Sequence, residues 1–317
     1  MLINSVGGGG GIELSLVISV ASGSVVTAVK GGKSVTGVSV DGVCVLTVPE
    51  AGTWTVSATK AGATSTSRTI TVVDSYTATL LYGAKIGTLS VGSSVYAKVG
   101  GVRTEFLVVH QGNPDSSFYH ESCTGTWLLA KDLSGEGGWG GYQTSYYEDR
   151  RYNADNNVMR KYFEETWLPT LEENVRNLLQ DAHISFAGKD EPTSALAVIP
   201  YADYFSQKVF PLTATEIGFA ADGTTLLKDG ACLTYFADAT NEKRIASLNG
   251  TVYGWWTRSP YKKSTGYCYR IKEDGTKEEC IQDVFTNGDG SSWGYRPAFI
   301  LPPDTYVDGD HNIVVVE

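Results

Sequence analysis

Residues Trp255–Pro260 read WWTRSP, and a second apolar stretch, Gly294–Phe299, reads GYRPAF. Both are short and rich in aromatic residues, and the sequence around them has the pattern of strands. Adjacent residues of a strand point to opposite faces, so Trp255 and Trp256 must contact different layers. We therefore expect one of them to fill a core, and the other to plug a second layer or to lie at the surface.

An arginine stands within each of these apolar stretches, at Arg258 and Arg296. A planar guanidinium in such surroundings usually donates hydrogen bonds to carboxylates or backbone carbonyls. We expect both arginines to be structural struts, with ligand contact as the alternative. In this interpretation Trp255, Trp256, Arg258 and Arg296 are the scaffold for the chain between them, residues 261–293.

A β-hairpin is predicted inside that segment. Its two strands, 266–272 and 276–285, meet at a three-residue loop ending in Gly275, whose left-handed conformation suits this turn. The resulting register pairs three sets of residues: Lys272 with Thr276, Arg270 with Glu278, and Cys268 with Cys280. A two-residue turn would instead place Lys272 against Lys277, which like-charge repulsion disfavours.

The same segment holds the residues that we predict to bind a ligand. It concentrates rigid aromatic side chains among small hydrogen-bonding residues, a composition typical of adaptable binding surfaces. The predicted ligand-binding residues are Tyr261, Tyr267, Tyr269, Asp283, Phe285, Asn287, Asp289, Ser291, Ser292 and Trp293. In the alternative interpretation the tyrosines merely cover a sheet edge and the loop 286–293 merely connects strands.

A second loop cluster is rich in glycine and aromatic residues. Its candidate binding residues are Trp139, Tyr142 and Tyr146. They would either flank the same surface or pack down on the predicted helices, and the sequence pattern leaves both alternatives open.

The chain beyond residue 82 mixes many short strands with two predicted helices. Residues 156–167 and 171–179 have helical periodicity with an apolar face. Thr213 and Glu216 have the spacing of a capping box, which opens a short helix. Without βαβ alternation, this mixture predicts an α+β domain over residues 83–317.

The first 80 residues differ in composition and contain only two aromatic residues. Five consecutive glycines predict a flexible tether over residues 1–11. Short runs rich in Val, Thr and Ser, separated by turn signals, predict an antiparallel β-sandwich over residues 12–82. Asp41-Gly42 is its sharpest hairpin signal, and Trp54 is the large residue expected in its core.

Composition excludes several classes of protein. Of the 317 residues, 42% are hydrophobic and 19% are charged, as in a folded globular protein and unlike a disordered or fibrous one. The net charge of -10 argues against nucleic acid as a partner. No apolar run of 18 residues is present, so we expect no membrane insertion. Five cysteines are too few for a disulfide framework in a chain of this length.

Four stretches resemble one known family. They lie at residues 91–109, 209–216, 255–260 and 294–299. Over residues 84–303 they resemble the C-type-lectin-like domain related to the formylglycine-generating enzyme, in the variant found in phage and prophage proteins of gut bacteria. Some of those proteins are targets of diversity-generating retroelements. The segment around Trp54 resembles the immunoglobulin-like spacers of phage tail fibres and bacterial surface proteins.

The resemblance implies a phage tail-fibre or receptor-binding protein, carried in the virion and acting outside the cell, in which an immunoglobulin-like spacer precedes a C-type-lectin-like head. The partner would be a bacterial cell-surface protein or glycan, and a homo-oligomer within a fibre is compatible with it. Most residue types of the predicted surface, except Trp, can arise by adenine-directed mutagenesis of an Asn codon. A surface adhesin or lectin of the bacterium itself is the alternative, followed by an enzyme on the formylglycine-generating fold.

We find no motif for catalysis, for a metal or for a cofactor. The four histidines lack zinc-ligand spacing, and the Asp-rich turns at 287–290 and 308–312 lack the glutamate of an EF-hand loop. Cys268 and Cys280 depart from the closely spaced copper-binding pair of the related enzymes. We therefore expect neither a cofactor nor an enzyme, and either a cross-strand disulfide or two free thiols at these cysteines.

Overall fold

The structure is a computed structural model that divides the chain into two compact units. It describes residues 14–61, 67–73, 76–79, 83–139, 152, 157–188, 197–199, 201, 206–238, 240–262, 268–280, 293–308 and 310–314. Unit 1 comprises Met1–Ala84 and Tyr306–Glu317, and unit 2 comprises Lys85–Thr305. The predicted second domain, 83–317, therefore differs at its C-terminal end, where the last described strands belong to unit 1. The predicted tether, 1–11, lies outside the described residues.

Unit 1 begins with eight strands, of which the first seven follow the Val/Thr/Ser-rich runs. They are β1 (Leu14–Ser19), β2 (Val25–Lys30), β3 (Lys33–Val38), β4 (Val43–Val48), β5 (Gly52–Thr59), β6 (Ser67–Val72), β7 (Tyr76–Thr79) and β8 (Gly83–Lys85). The first seven form two sheets, with the orders β4-β1-β7 and β3-β2-β5-β6. The pairing of β1 with β7 is parallel, unlike the expected antiparallel arrangement. Since β7 follows a strand of the other sheet, no tight turn forces it to run against β1.

One apolar core lies between these two sheets. Leu16 and Leu46 contribute from the first sheet, and Val26 and Trp54 from the second, and none of the four is more than 2% exposed. Along β4 and β5 the buried residues alternate with exposed Val and Thr, as expected for a sheet with one buried face. Trp54 is fully buried, as predicted, and its indole N–H donates to the carbonyl of Glu50 (3.1 Å).

The Asp41-Gly42 turn carries the chain from one sheet to the other. Asp41 and Gly42 have φ angles of 50° and 82°, so both are left-handed, as in a two-residue type I′ turn. Val40 and Val43 exchange backbone hydrogen bonds of 2.9 and 3.0 Å across it. The predicted turn is confirmed, but β3 and β4 lie in different sheets and the chain pairs across the turn only at Val40 and Val43.

Unit 2 is largely β structure with short helices. Its strands are β9 (Ser94–Val99), β10 (Val102–Gly112), β11 (Gly125–Ala130), β12 (Gly135–Gly137), β13 (Phe186–Gly188), β14 (Ala197–Ile199), β15 (Ser247–Leu248), β16 (Thr251–Val252), β17 (Trp255–Pro260), β18 (Cys268–Ile271), β19 (Lys277–Cys280), β20 (Trp293–Tyr295) and β21 (Ala298–Leu301). A four-stranded sheet has the order β21-β11-β10-β9, and a five-stranded sheet has the order β12-β20-β17-β18-β19. The pairs β13-β14 and β15-β16 complete the unit.

The predicted helices are present but short. α1 (Val158–Lys161) continues into a π-helical stretch (Tyr162–Trp167) and a 3₁₀ turn (Leu168–Thr170), and α2 (Glu173–Arg176) follows. The apolar face predicted from the periodicity is buried, with Met159, Phe163 and Trp167 at most 4% exposed. Further 3₁₀ turns lie at Ile86–Thr88, Glu121–Cys123, Thr234–Phe236 and Asn241–Arg244.

Two further strands, β22 (Tyr306–Asp308) and β23 (Ile313–Val314), return the chain to unit 1, where the sheet order is β23-β22-β8. Unit 2 has a core of its own around Trp127, Phe210 and Trp255, each 0% exposed. Each unit therefore buries a separate hydrophobic cluster.

Candidate functional site

The five-stranded sheet of unit 2 brings the predicted scaffold and the predicted binding segment together. β18 and β19 pair with Arg270 opposite Glu278 and Cys268 opposite Cys280. The amide of Lys272 donates to the carbonyl of Thr276 (2.9 Å). The register predicted from a three-residue turn is therefore confirmed.

Gly275 is the residue that makes this turn possible. Its φ of 78° is a conformation that other residues rarely adopt. A Cβ atom at this position would also collide with the backbone carbonyl of Asn241. Both constraints fix glycine at this position, so the hairpin has one defined geometry.

Both tryptophans of β17 are buried. Trp255 is 0% exposed and its indole N–H donates to the carbonyl of Arg244 (2.8 Å). Trp256 is 1% exposed and donates in the same way to the carbonyl of Gly137 (2.8 Å). Of the two arrangements expected for the pair, the structure has the one in which each residue fills a layer and neither lies at the surface.

Arg258 pairs with the buried carboxylate of Glu216, a residue predicted from its spacing to belong to a capping box. Its Nη2 donates to Oε1 of Glu216 (2.5 Å) and its Nη1 to the carbonyl of Pro211 (2.6 Å). Both side chains are 0% exposed. Glu216 also accepts the hydroxyl of Tyr119 (2.7 Å), and it exchanges the two capping-box hydrogen bonds with Thr213 (2.7 and 3.0 Å). The spacing at 213–216 thus encodes the box, although only a turn follows it.

A second buried carboxylate, Asp229, lies in the same region and was missed by the sequence reasoning. It is 1% exposed and accepts hydrogen bonds from the hydroxyls of Ser259 (2.7 Å) and Thr215 (2.8 Å). Burial raises its pKa to about 6, because water no longer stabilises the charge and the hydroxyls and the nearby Arg258 offset only part of that loss.

Arg296 donates only to backbone carbonyls. Its partners are Ala130 (2.8 Å), Lys131 (3.0 Å) and Arg244 (3.3 Å). Burial lowers its pKa to about 10, because the nearby Tyr235 and Asp132 offset only part of the lost hydration of the charge. These are the contacts of a structural strut that joins β11 and the 241–244 turn to the segment before β21.

Only part of the predicted binding segment lies among the described residues. Tyr267, Asp283, Phe285, Asn287, Asp289, Ser291 and Ser292 are outside them, as are Tyr142 and Tyr146 of the second cluster. Tyr261 and Trp293 are half-buried. Each of these two side chains therefore keeps part of its surface exposed.

Two predicted surface residues are buried instead. Tyr269 is 0% exposed and packs against Ala214 and Leu226, because other elements cover both faces of β18. Its assignment to the recognition surface was wrong. Trp139 is 1% exposed and its indole donates to the carbonyl of Thr257 (2.6 Å). Of the two alternatives for that residue, packing inward is the one the structure has.

Trp293 forms the most organised aromatic group of this segment. The guanidinium carbon of Arg270 lies 3.5 Å from the centre of the Trp293 ring, and Nε of Arg270 donates to Glu278 (2.6 Å). Tyr253 and Trp256 contact the same indole, with ring centres 5.8 and 6.5 Å away. A cation over an indole face is attracted by the ring quadrupole, so this stack fixes the ring.

The ends of three strands meet at one end of the five-stranded sheet. Pro260 at the end of β17 lies opposite Cys268 at the start of β18, which lies opposite Cys280 at the end of β19. Trp293 begins β20 at the opposite end, because Gly294 pairs in parallel with Trp255. Cys280 and Trp293 therefore lie at opposite ends of the sheet.

The described part of the chain contains no group of three His, Cys, Asp or Glu side chains that could hold a metal ion. Within the same residues, no helix combines the length and the apolar character needed to cross a bilayer.

Comparison with known proteins identifies one family. The model of a domain of unknown function, DUF6273, matches residues 124–303, which include β11, β17 and β20. Searches of curated proteins and of solved structures found no match. Because the matched stretch covers more than half of the 317 residues, this chain belongs to the DUF6273 family.

Proposed function

We propose that the chain is a receptor-binding protein of a phage tail fibre, in which unit 1 is an immunoglobulin-like spacer and unit 2 is a C-type-lectin-like head. Seven strands in two sheets around one core are the arrangement expected of such a spacer. The head would bind a bacterial cell-surface protein or glycan through the segment between β17 and β20. In this proposal the protein is carried in the virion, and its variable surface is of the kind diversified by retroelements.

One observation carries the proposal: a half-buried tryptophan is held by packed neighbours. Trp293 is stacked by Arg270, which Glu278 holds in turn. Large aromatic anchors supply much of the binding free energy at protein interfaces. A ring that is already fixed loses little conformational entropy when a ligand binds, which favours this residue as an anchor.

The flanking motifs support the same assignment of separate scaffold and ligand-binding residues. Arg258 and Arg296 are 1% exposed, and both donate hydrogen bonds to buried protein groups. A ligand cannot reach these side chains without displacing buried contacts. Recognition therefore belongs to the segment between them, where Tyr261 and Trp293 are the described candidates.

Cell binding tests the proposal. The fluorescently labelled full chain is mixed with a panel of gut bacterial isolates and measured by flow cytometry. We expect staining of at least one isolate, and a loss of about thirtyfold in affinity for Trp293→Ala, since an anchor contributes about 2 kcal/mol. Thermal unfolding verifies that each variant is folded.

Tyr96→Ala is the matched control, because Tyr96 carries a similar stack, with the guanidinium carbon of Arg103 3.3 Å from the ring centre. It should bind like the parent. Equal staining by parent and Trp293→Ala, or no staining of any isolate, would refute the proposal. Tail genes and a reverse transcriptase beside the coding gene would distinguish a phage protein from a bacterial adhesin.

A further inference from the structure

An open cleft of about 540 Å³ lies in unit 2 and is built from residues outside the predicted surface. It is lined by Asn113, Ser116, Tyr119, His120, Glu121, Thr124 and Tyr201. The volume falls within the range of about 300–1,000 Å³ that is typical of small-molecule sites. The cleft is wide enough for one or two sugar rings.

Partly buried hydrogen bonds hold the walls of the cleft in place. The amide nitrogen of Asn113 donates to the carbonyls of Tyr119 (3.1 Å) and His120 (3.0 Å). Ser185 ties the opposite wall, because its hydroxyl donates to the carbonyl of Phe118 (2.8 Å) and accepts the amide of Tyr201 (3.2 Å). The cleft is therefore preorganised without a ligand.

Aromatic rings form one side of the cleft. The His120 ring lies edge-on to His183 and to Tyr201, with ring centres 5.4 and 5.7 Å apart. All three rings are half-buried. The rings of His120 and Tyr201, inclined at 61° to each other, line the cleft and offer partly apolar surface against which the C–H groups of a pyranose pack.

Polar groups of the cleft remain available. Nδ1 of His120 accepts the amide of Ser122 (3.2 Å), which leaves the proton of the neutral imidazole on Nε2. Among the residues that the structure describes, none forms a hydrogen bond with that Nε2, with the phenol of Tyr201 or with the carboxylate of Glu121. The site thus combines one N–H donor, one hydroxyl and one anionic acceptor beside the rings.

We propose that this cleft binds a neutral pyranose sugar without a metal ion. Hydroxyl groups of a sugar match the carboxylate of Glu121 and the imidazole N–H of His120, and the ring C–H groups match the aromatic wall. The carboxylate and the net charge of -10 disfavour an anionic ligand. This site does not depend on the ligand proposed for the segment around Trp293.

Titration calorimetry of the full chain with glucose, galactose, mannose and N-acetylglucosamine, each in EDTA, tests the proposal. We expect millimolar saturable binding of at least one of these sugars. Glu121→Gln should weaken it at least tenfold, because hydrogen bonds to a charged acceptor are about twice as strong as neutral ones. Tyr201→Ala should weaken it similarly by removing part of the wall.

Two controls separate this site from others. Glu242→Gln changes an exposed glutamate of the 241–244 turn and should bind sugar like the parent. Trp293→Ala should also retain sugar binding, even where it abolishes cell binding. The proposal is overturned if none of the four sugars gives a saturable heat of binding. It is also overturned if the parent and both cleft variants bind sugar with equal affinity, or if EDTA removes the binding.

Discussion

Replacement of Asp229 by Asn should change how the stability of unit 2 depends on pH. The Asp229 carboxylate is 1% exposed and its two hydrogen-bond donors are the neutral hydroxyls of Ser259 and Thr215. Asn has nearly the same shape and can keep both contacts, because each hydroxyl can also accept a hydrogen bond. The substitution therefore removes the buried charge with little change in packing.

The expected magnitude follows from the raised pKa. Burial places the pKa of Asp229 at about 6 in the folded chain, against an ordinary value of 3.8. Two pKa units correspond to about 3 kcal/mol. Because the folded pKa is the higher one, this contribution to stability is fully present below pH 3.8 and is lost as the pH rises through 6. About 2 kcal/mol of it should disappear between pH 4.5 and 7.5.

Urea unfolding of the parent and of Asp229→Asn at pH 4.5, 5.5, 6.5 and 7.5 measures this effect. The free energy of unfolding of the variant, relative to the parent, should rise by about 2 kcal/mol across that range. Asp181→Asn, which changes an exposed aspartate, is the control and should show no such rise. A difference between parent and Asp229→Asn that does not vary with pH would show that the buried carboxylate is not what titrates.

Three further changes have expected outcomes. Arg258→Ala should lower the free energy of unfolding, measured by urea unfolding, by roughly 3–5 kcal/mol, because it leaves Glu216 buried without its cation. A loss below about 1 kcal/mol would contradict the structural role of Arg258. Gly275→Ala should lower the melting temperature, because a Cβ at φ 78° collides with the carbonyl of Asn241, and an unchanged melting temperature would disprove that turn. EDTA should leave the melting temperature unchanged in calorimetry, whereas a large drop would reveal a bound ion.

Local signals predicted much of the fold. The seven strand runs of unit 1 alternate with period two and are separated by turn residues, so each strand could be placed from its own sequence. The hairpin around Gly275 was predictable for the same reason, with the like charges of Lys272 and Lys277 disfavouring the shorter turn. The capping box at 213–216 also depends only on spacing.

Features that depend on distant residues could not be predicted in this way. Asp229 precedes a glycine, which indicates a turn, and only tertiary packing buries it. The sequence around Tyr269 does not show whether its strand, β18, is covered on one face or on both. The cleft draws on Asn113, His120 and Tyr201, whose proximity arises from the fold rather than from spacing. The pairing of β22 with strands of unit 1 likewise has no local pattern.

Unit 2 is inserted within unit 1 rather than appended to it. The chain leaves unit 1 after Ala84 and re-enters it at Tyr306, and β8 and β22 belong to one sheet. At the same crossing the amide of Ile86 donates to the carbonyl of Thr305 (2.7 Å). A mechanical load on unit 2 is therefore carried by two covalent segments, and cleavage of either one alone leaves the other as an intact tether.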